Sequence, residues 1–240
     1  MPDAIGIEHC TGSMGSRFTL YRFVPEEIPR LAKLDWNAIG RRVFIDPVRG
    51  MIALMSPSPE HEEYTRGIDR TVQDMCRALG LRIVTLGSTR WRRPDDPENS
   101  GAEPDACFYL GMAAERRDVA RRKGIEALAE FYRHTPPDLV IEVERSRGDA
   151  DKPAFYRRLG AAEMWRLDIS GNTREAVMLD LQAPRGPEVL EASRVLAPAT
   201  PAFVLDALEL AVENRLSELE AAIDARIRSA REEADRGLSL

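Results

Sequence analysis

Carboxylates on two apolar segments, followed by one lysine, are the residues of this sequence best suited to chemistry. Asp105 directly precedes one apolar run, Glu142 lies inside a second, and Glu144 and Lys152 follow. Two strands that bring carboxylates together form a simple scaffold for a divalent metal ion, because hard cations prefer oxygen ligands. A nearby lysine would add the positive charge that phosphodiester cleavage requires. The pattern therefore favours a metal-dependent nuclease.

The three carboxylates are expected to crowd one place. Alternate side chains of a strand share a face, so Glu142 and Glu144 should project together. If Asp105 lies beside them, the three charges raise one another's pKa, and a divalent cation removes the conflict. Mg²⁺ keeps several waters and needs only two or three protein ligands. The alternative is that Glu142 forms an ion pair with an arginine such as Arg145 or Arg166.

Lys152 and His61 are weaker candidates when they are considered alone. Lys152 stands at the start of an expected helix, where it could orient the attacking water or neutralise charge on the phosphate. A lysine at a helix start is also common on protein surfaces. His61 lies near the start of another expected helix, where a surface or capping role is the alternative to a role in the site.

Asp105 follows Pro104, and two further Pro-Asp pairs do not fit such a site. Asp95 lies in a loop rich in Asp, Pro, Glu and Asn, where the pair indicates a turn. Asp138 begins the strand that holds Glu142, so it should lie at the opposite end, roughly 13 Å away at the usual rise per residue.

Composition is that of a globular protein with a sizeable core. The 240 residues are 43% hydrophobic and 31% charged, with a net charge of −6, which argues mildly against nonspecific coating of DNA. Two clusters could still form local basic surfaces or simply solvated faces. They are Arg90, Arg92 and Arg93 around Trp91, and Arg116, Arg117, Arg121, Arg122 and Lys123.

Cysteine use and hydropathy predict a cytoplasmic protein without membrane segments. The three cysteines, at wide spacing, form neither a disulfide framework nor a CxxC metal motif. No apolar run approaches the roughly 18 residues of a membrane span. The N-terminus lacks the basic start and apolar centre of a signal peptide.

The order of expected elements predicts a mixed α/β fold, with helices packed on a central twisted mixed sheet. Expected helices cover residues 25–36, 59–80, 112–132 and 151–159. Expected strands cover residues 17–23 (an edge strand), 41–46 and 51–55 (a hairpin), 82–86 and 89–93, then 106–110, 138–143, 162–169 and 176–181.

The last 40 residues are expected to form a C-terminal amphipathic helix, distinct from a domain of residues 1–200. Residues 204–236 contain neither proline nor glycine, and apolar residues recur at steps of four, four, three, four and four. These are Leu208, Val212, Leu216, Leu219, Ile223 and Ile227. The stripe could pack on its own domain or pair with a second copy in a homodimer.

Six short stretches, in order, resemble those of a known family. They are MSPSPEH (residues 55–61), GST (87–89), EPDACFY (103–109), PPDLVIEVE (136–144), YRRLG (156–160) and EMWRLD (163–168). Together they resemble the PD-(D/E)XK nuclease superfamily, and within it the Uma-type family of bacterial restriction endonucleases. The resemblance covers roughly residues 40–170, and leaves the N-terminal segment and the tail outside.

The resemblance implies a restriction-endonuclease-like fold with a Mg²⁺ or Mn²⁺ site. Asp105, Glu142 and the backbone carbonyl of Val143 would be the metal ligands, and His61 would match a histidine typical of the family's helix. The lysine expected two residues after Glu142 is absent, because Glu144 stands there. Lys152 would be its relocated equivalent, and Glu144 would be either an extra ligand or a residue that only fills the space.

The function predicted from these residues is metal-dependent hydrolysis of DNA phosphodiester bonds by activated water. A different class of function is a catalytically inactive, dimeric nuclease-fold module that binds a nucleic acid or a protein through the tail helix. A third is a hydrolase of another phosphate ester. No appended DNA-reading motif such as a helix-turn-helix or a zinc finger is visible.

Overall fold

The structure, a computed structural model, describes residues 6–11, 17–34, 42–56, 58–93, 95–96, 98, 100–144, 151–171 and 173–237. The strands are β1 (Gly6–Thr11), β2 (Arg17–Arg22), β3 (Arg42–Asp46), β4 (Met51–Ser56), β5 (Ile83–Thr85), β6 (Ala106–Leu110), β7 (Leu139–Glu144), β8 (Glu163–Asp168), β9 (Glu175–Asp180) and β10 (Glu188–Leu190). The helices are α1 (Ile28–Ala32), α2 (Pro59–Leu79), α3 (Met112–Lys123), α4 (Ile125–His134), α5 (Lys152–Leu159), α6 (Pro201–Val212) and α7 (Leu216–Gly237).

The strands form two sheets. The larger has the order β10-β9-β8-β7-β6-β5, with β7 and β8 parallel and the other pairs antiparallel. The parallel pair is connected through α5, as parallel neighbours require a crossover. The smaller sheet is antiparallel in the order β1-β2-β4-β3. The predicted central mixed sheet with flanking helices is confirmed.

Helices cover both faces of the larger sheet. On one face α2, α6 and α7 enclose a core that includes Phe108, Ile141 and Trp165. On the other face the core includes Val140 and Phe155 of α5. Because Glu142 is two residues from Val140 in β7, its side chain points to the α5 face.

The smaller sheet lies against the segment that leads into β6. Ile45 of β3 exchanges two backbone hydrogen bonds with Gly101, of 2.7 and 3.2 Å. The β3–β4 hairpin is the one that the sequence predicts, with Gly50 at φ +60°; the predicted first residue of its first strand, Arg41, lies outside the described residues. The small sheet therefore helps to fix the chain just before Asp105.

Two predicted strands are wrong in position. The segment at Arg17–Arg22 was expected at an edge, but β2 pairs with both β1 and β4. Residues 89–93 were expected to form a strand, yet they contribute only isolated bridges, from Trp91 to Ala102 and from Arg93 to Asp96. This segment therefore pairs only at Trp91 and Arg93 and does not form a continuous strand.

Two predicted helices are shorter or divided. The helix expected over residues 25–36 is a 3₁₀ turn followed by the five residues of α1, and Trp36 lies outside the described residues. The helix expected over residues 112–132 is interrupted at Gly124, whose φ of +114° favours glycine and does not fit a helix. The result is the pair α3 and α4.

The C-terminal segment is also two helices. They are separated at Asn214, which has a φ of +59°. The predicted apolar stripe is largely buried within the chain, and Leu208, Leu219 and Ile223 are fully inaccessible to solvent. Gly67 lets α6 approach α2 closely, because a Cβ atom there would lie 2.9 Å from Leu208 Cδ1. The intramolecular alternative is therefore the one observed, and the predicted homodimer has no support in the described part of the chain.

Across the described ranges, every helix is too short or too polar to cross a membrane.

Candidate active site

Asp105 and Glu142 come together at one end of the β6–β7 pair. Antiparallel pairing places Ala106 opposite Ile141, so Asp105 lies beside the part of β7 that holds Glu142. The Asp105 amide donates to the Ile141 carbonyl at 3.0 Å, and its carboxylate accepts a 2.7 Å hydrogen bond from the amide of Val143. Both carboxylates are buried. The two acids therefore lie at the same end of this strand pair.

The Glu142 carboxylate is held by two residues of α5. Lys152 Nζ lies 2.6 Å from Oε2, and the Tyr156 hydroxyl donates to Oε1 at 2.6 Å. The helix starts at the right place because the Asp151 side chain accepts from the amide of Ala154, which caps its first turn. The alternative pairing of Glu142 with Arg166 is wrong, since a lysine takes that place; Arg145 lies outside the described residues.

Burial and charge set the protonation of this group. Burial raises the pKa of Glu142, as does the Asp105 charge, while Lys152 and Tyr156 oppose the rise. Burial acts to lower the pKa of Lys152, but the charges of Glu142, Glu144 and Asp105 outweigh it and raise that pKa. The lysine is therefore a cation. Burial, followed by the Glu142 charge, raises the pKa of Tyr156 well above its usual value, which keeps its phenol neutral and donating.

Glu144 shares the face of Glu142, as the strand alternation predicts. Its Oε2 accepts a 2.7 Å hydrogen bond from Arg166 Nη2, and its Oε1 lies 3.9 Å from Lys152 Nζ. Arg166 pairs in register with Glu142 across the parallel β7–β8 ladder, so all these side chains leave the sheet on the same side. Glu144 thus lies between two cations.

His61 reaches the site from the first turn of α2. That turn is fixed by Ser58, whose hydroxyl accepts from the His61 amide at 3.2 Å, as the predicted helix start implies. His61 is buried, and its Nε2 lies 3.2 Å from Asp105 Oδ2. That approach is not aligned as a hydrogen bond, and within the described ranges neither ring nitrogen has a hydrogen-bond partner. The ring nitrogens of His61 can therefore form a further hydrogen bond beside Asp105.

The donor set fits a hard divalent cation. Asp105 and Glu142 supply carboxylate oxygens, and the Val143 carbonyl faces the same edge, because backbone groups of alternate residues point to the same side of a strand. Two or three protein oxygens are enough for Mg²⁺. No group of three or more His, Cys, Asp or Glu side chains with metal-binding geometry occurs in the described ranges. A cation here would therefore depend on backbone or water ligands as well.

Comparison with known protein families shows to which family this chain belongs. Residues 27–213 match the model of the Uma2 family, described as "Putative restriction endonuclease". The chain belongs to the Uma2 family. The match extends beyond residues 40–170 on both sides and includes α6. A search of curated proteins found no match. As a Uma2 member with a mixed six-stranded sheet, the protein has a restriction-endonuclease-like fold.

The smaller sheet of this Uma2 protein braces the helix that carries Lys152. Arg158 of α5 donates to Asp46 at 2.8 Å, and Arg49 of the hairpin turn forms an ion pair with Asp151, the cap of α5. Phe44 packs edge-on against Phe155 with ring centroids 5.1 Å apart. Sequence reasoning missed these contacts, because pairs about 100 residues apart leave no local signal.

The two basic clusters of this Uma2 protein lie in different places. The helix α3 follows the Leu110 end of β6, whereas Asp105 precedes the other end, roughly 17 Å away at the usual rise per residue. In the other cluster, Arg93 is buried and paired with Asp95 through two 2.9 Å hydrogen bonds. The α3 cluster therefore adds no positive charge beside Glu142, and the charge of Arg93 is balanced by its own acid.

Tyr156 is the residue of this Uma2 site that sequence reasoning missed, although its spacing of four from Lys152 places both on one helix face. Replacing Tyr156 with Phe should lower the free energy of unfolding by about 1–3 kcal/mol, because a buried carboxylate oxygen loses its donor. The same change should raise the pKa of Glu142 further, so the variant should need more Mn²⁺ at acidic pH. Urea unfolding and cleavage at a series of Mn²⁺ concentrations measure the two effects.

The matched control is Tyr109→Phe, which removes a buried hydroxyl that donates to the Thr135 carbonyl near the opposite end of β6. This variant should lose stability while keeping the Mn²⁺ requirement of the native chain. If cleavage by the two variants depends on Mn²⁺ concentration in the same way, Tyr156 contributes only to the stability of the fold.

Proposed function

We propose that this chain is a Mg²⁺- or Mn²⁺-dependent endonuclease that hydrolyses DNA phosphodiester bonds. The observation that carries the proposal is the buried pair of carboxylates, Asp105 and Glu142, with the Lys152 ammonium 2.6 Å from one Glu142 oxygen. Membership in a family described as restriction endonucleases supports the choice of DNA as the substrate. The metal dependence is supported by the carboxylate oxygens of Asp105 and Glu142, since hard divalent cations prefer oxygen ligands.

Asp105, Glu142 and the Val143 carbonyl would hold the cation. When bound, the cation supplies charge stabilisation at the attacked phosphate and makes a water easier to deprotonate. Asp105 is restrained for this task by the Val143 amide, and His61 packs against it from α2.

We assign Lys152 to the stabilisation of charge on the substrate's phosphate group. Its charge is fixed by the surrounding acids, so it remains protonated throughout the neutral range. A fixed cation beside the reacting phosphate stabilises the negative charge that develops in the transition state. Tyr156 keeps Glu142 in one orientation by donating to the oxygen that Lys152 does not contact. Two residues of α5 thus fix the orientation of the Glu142 carboxylate, one at each oxygen.

A panel of substrates tests the proposal. Purified protein is incubated with duplex DNA, single-stranded DNA, RNA and a nucleotide ester, each with Mn²⁺, with Mg²⁺ or with EDTA. Cleavage of DNA that requires the cation and stops with EDTA is the expected result. Cleavage of the nucleotide ester alone would replace the substrate assignment, and intact nucleic acids under all conditions would favour an inactive binding module.

A further inference from the structure

Two residues occupy the region where the motif lysine would stand. Glu144 holds the position two residues after Glu142, and Arg166 of the neighbouring strand donates to it at 2.7 Å. The relocated lysine, Lys152, approaches Glu144 only to 3.9 Å and is much closer to Glu142. The position of the motif lysine is therefore occupied by Glu144, and Glu144 holds a second cation, Arg166, on the face of the sheet that carries Glu142.

We infer that Arg166 binds a non-bridging oxygen of the substrate's phosphate backbone, and that Glu144 positions its guanidinium to do so. The inference rests on the proposed function and adds a substrate contact to it. Arg166 lies in register with Glu142 on the adjacent strand, so its side chain starts beside the proposed centre. Laterally paired residues of neighbouring strands have Cβ atoms about 5 Å apart, which places the arginine within reach of a phosphate held there.

In the proposed function Lys152 stabilises charge at the reacting phosphate, so an additional contact with the phosphate backbone requires a second cation. Its side chain is only 10% exposed, and its ammonium is engaged by Glu142 at 2.6 Å. The Arg166 side chain is 38% exposed, and Glu144 anchors one of its terminal nitrogens. The two cations thus differ in access, because one is buried against the acid and the other is open at the surface of the same face.

The chemistry of arginine suits the task. A guanidinium has five N–H donors in a planar fork that matches phosphate oxygens, and one bond to Glu144 leaves donors for a ligand. Glu144 is 12% exposed, so its charge is partly desolvated, and its hydrogen bond restrains one end of the guanidinium. With Asp105, Glu142 and Glu144 against Lys152 and Arg166, the face carries one excess negative charge before a divalent cation binds. Without Arg166, the face would carry two excess negative charges.

Binding without turnover tests the inference. A short fluorescein-labelled DNA duplex is titrated with the native chain, Arg166→Gln, Arg166→Lys and Arg82→Gln, with Ca²⁺ in place of Mn²⁺, at roughly 50 to 200 mM salt. Arg82 is the matched control, because it is an exposed arginine paired with Asp118 near the opposite end of β6. Urea unfolding of each variant is measured in parallel.

Arg166→Gln should weaken binding about tenfold, and the slope of log affinity against log salt should fall by about one, as loss of one phosphate contact requires. Arg166→Lys should keep most of the slope, and Arg82→Gln should match the native chain. A native slope in Arg166→Gln would overturn the inference while the nuclease assignment stands. A native chain that neither binds nor cleaves DNA would overturn both.

Discussion

Asp105→Asn and Glu142→Gln are each expected to reduce Mn²⁺-dependent DNA cleavage by about 1,000-fold or more. Each change keeps the size of the side chain and removes the negative charge that would hold the cation. The two acids are buried at the joined ends of β6 and β7, where the cation would bind. Initial rates of plasmid cleavage at saturating Mn²⁺ measure the effect.

Asp138→Asn is the matched control for these variants. Asp138 is another carboxylate of the same strand pair, but its Oδ2 accepts from the Leu110 amide at the opposite end of β6. The control should cleave DNA at the native rate, apart from any loss of folded protein that thermal unfolding reveals. Native rates in Asp105→Asn or Glu142→Gln would remove the basis for the assigned centre.

Lys152→Met should abolish cleavage and also lower the free energy of unfolding by about 3–5 kcal/mol, because it leaves a buried carboxylate without its counter-ion. The double variant Lys152→Met with Glu142→Gln should regain most of that stability and none of the activity. Urea unfolding of both variants separates the structural effect from the catalytic one. Lys123→Met, at an exposed position of α3, is the control and should match the native chain in both respects.

The stability of Lys152→Met should depend on pH in a defined direction. Burial already raises the pKa of Glu142 above its ordinary value of 4.5, and the loss of Lys152 raises it further. The folded variant therefore takes up a proton at higher pH than the unfolded chain does. Its deficit is full above the folded pKa and shrinks as the pH falls through that value towards 4.5. A deficit that is constant with pH, or no deficit, would contradict the described ion pair.

The sequence contains most of the information that locates the site. Asp105 and Glu142 each belong to a short apolar run, and such runs become neighbouring central strands whose register brings the acids together. The start of α2 at Ser58 and its end at Gly80, with φ +70°, follow from local capping chemistry that is readable in the sequence. Local signals of this kind predicted the helix that holds His61 and the helix that starts at Lys152.

The partners of these residues were not predictable in the same way. Tyr156 donates to Glu142, and Arg166 donates to Glu144, but the sequence allows several cations and hydroxyls to compete for each acid. Only the packing of α5 and the register of β8 select among them. The breaks at Gly124 and Asn214 were missed because apolar spacing continues across them, although the backbone there has positive φ.

The proposed metal centre is tested by Mn²⁺ binding to the native chain, to Glu142→Gln and to Asp138→Asn, measured from the electron paramagnetic resonance signal of free Mn²⁺. This measurement needs no substrate, so it addresses the proposed centre itself. We expect the native chain and Asp138→Asn to bind Mn²⁺ with the same affinity, and Glu142→Gln not to bind it. Equal binding by all three proteins, or binding by none, would contradict the assignment of Asp105 and Glu142 as the metal-binding acids.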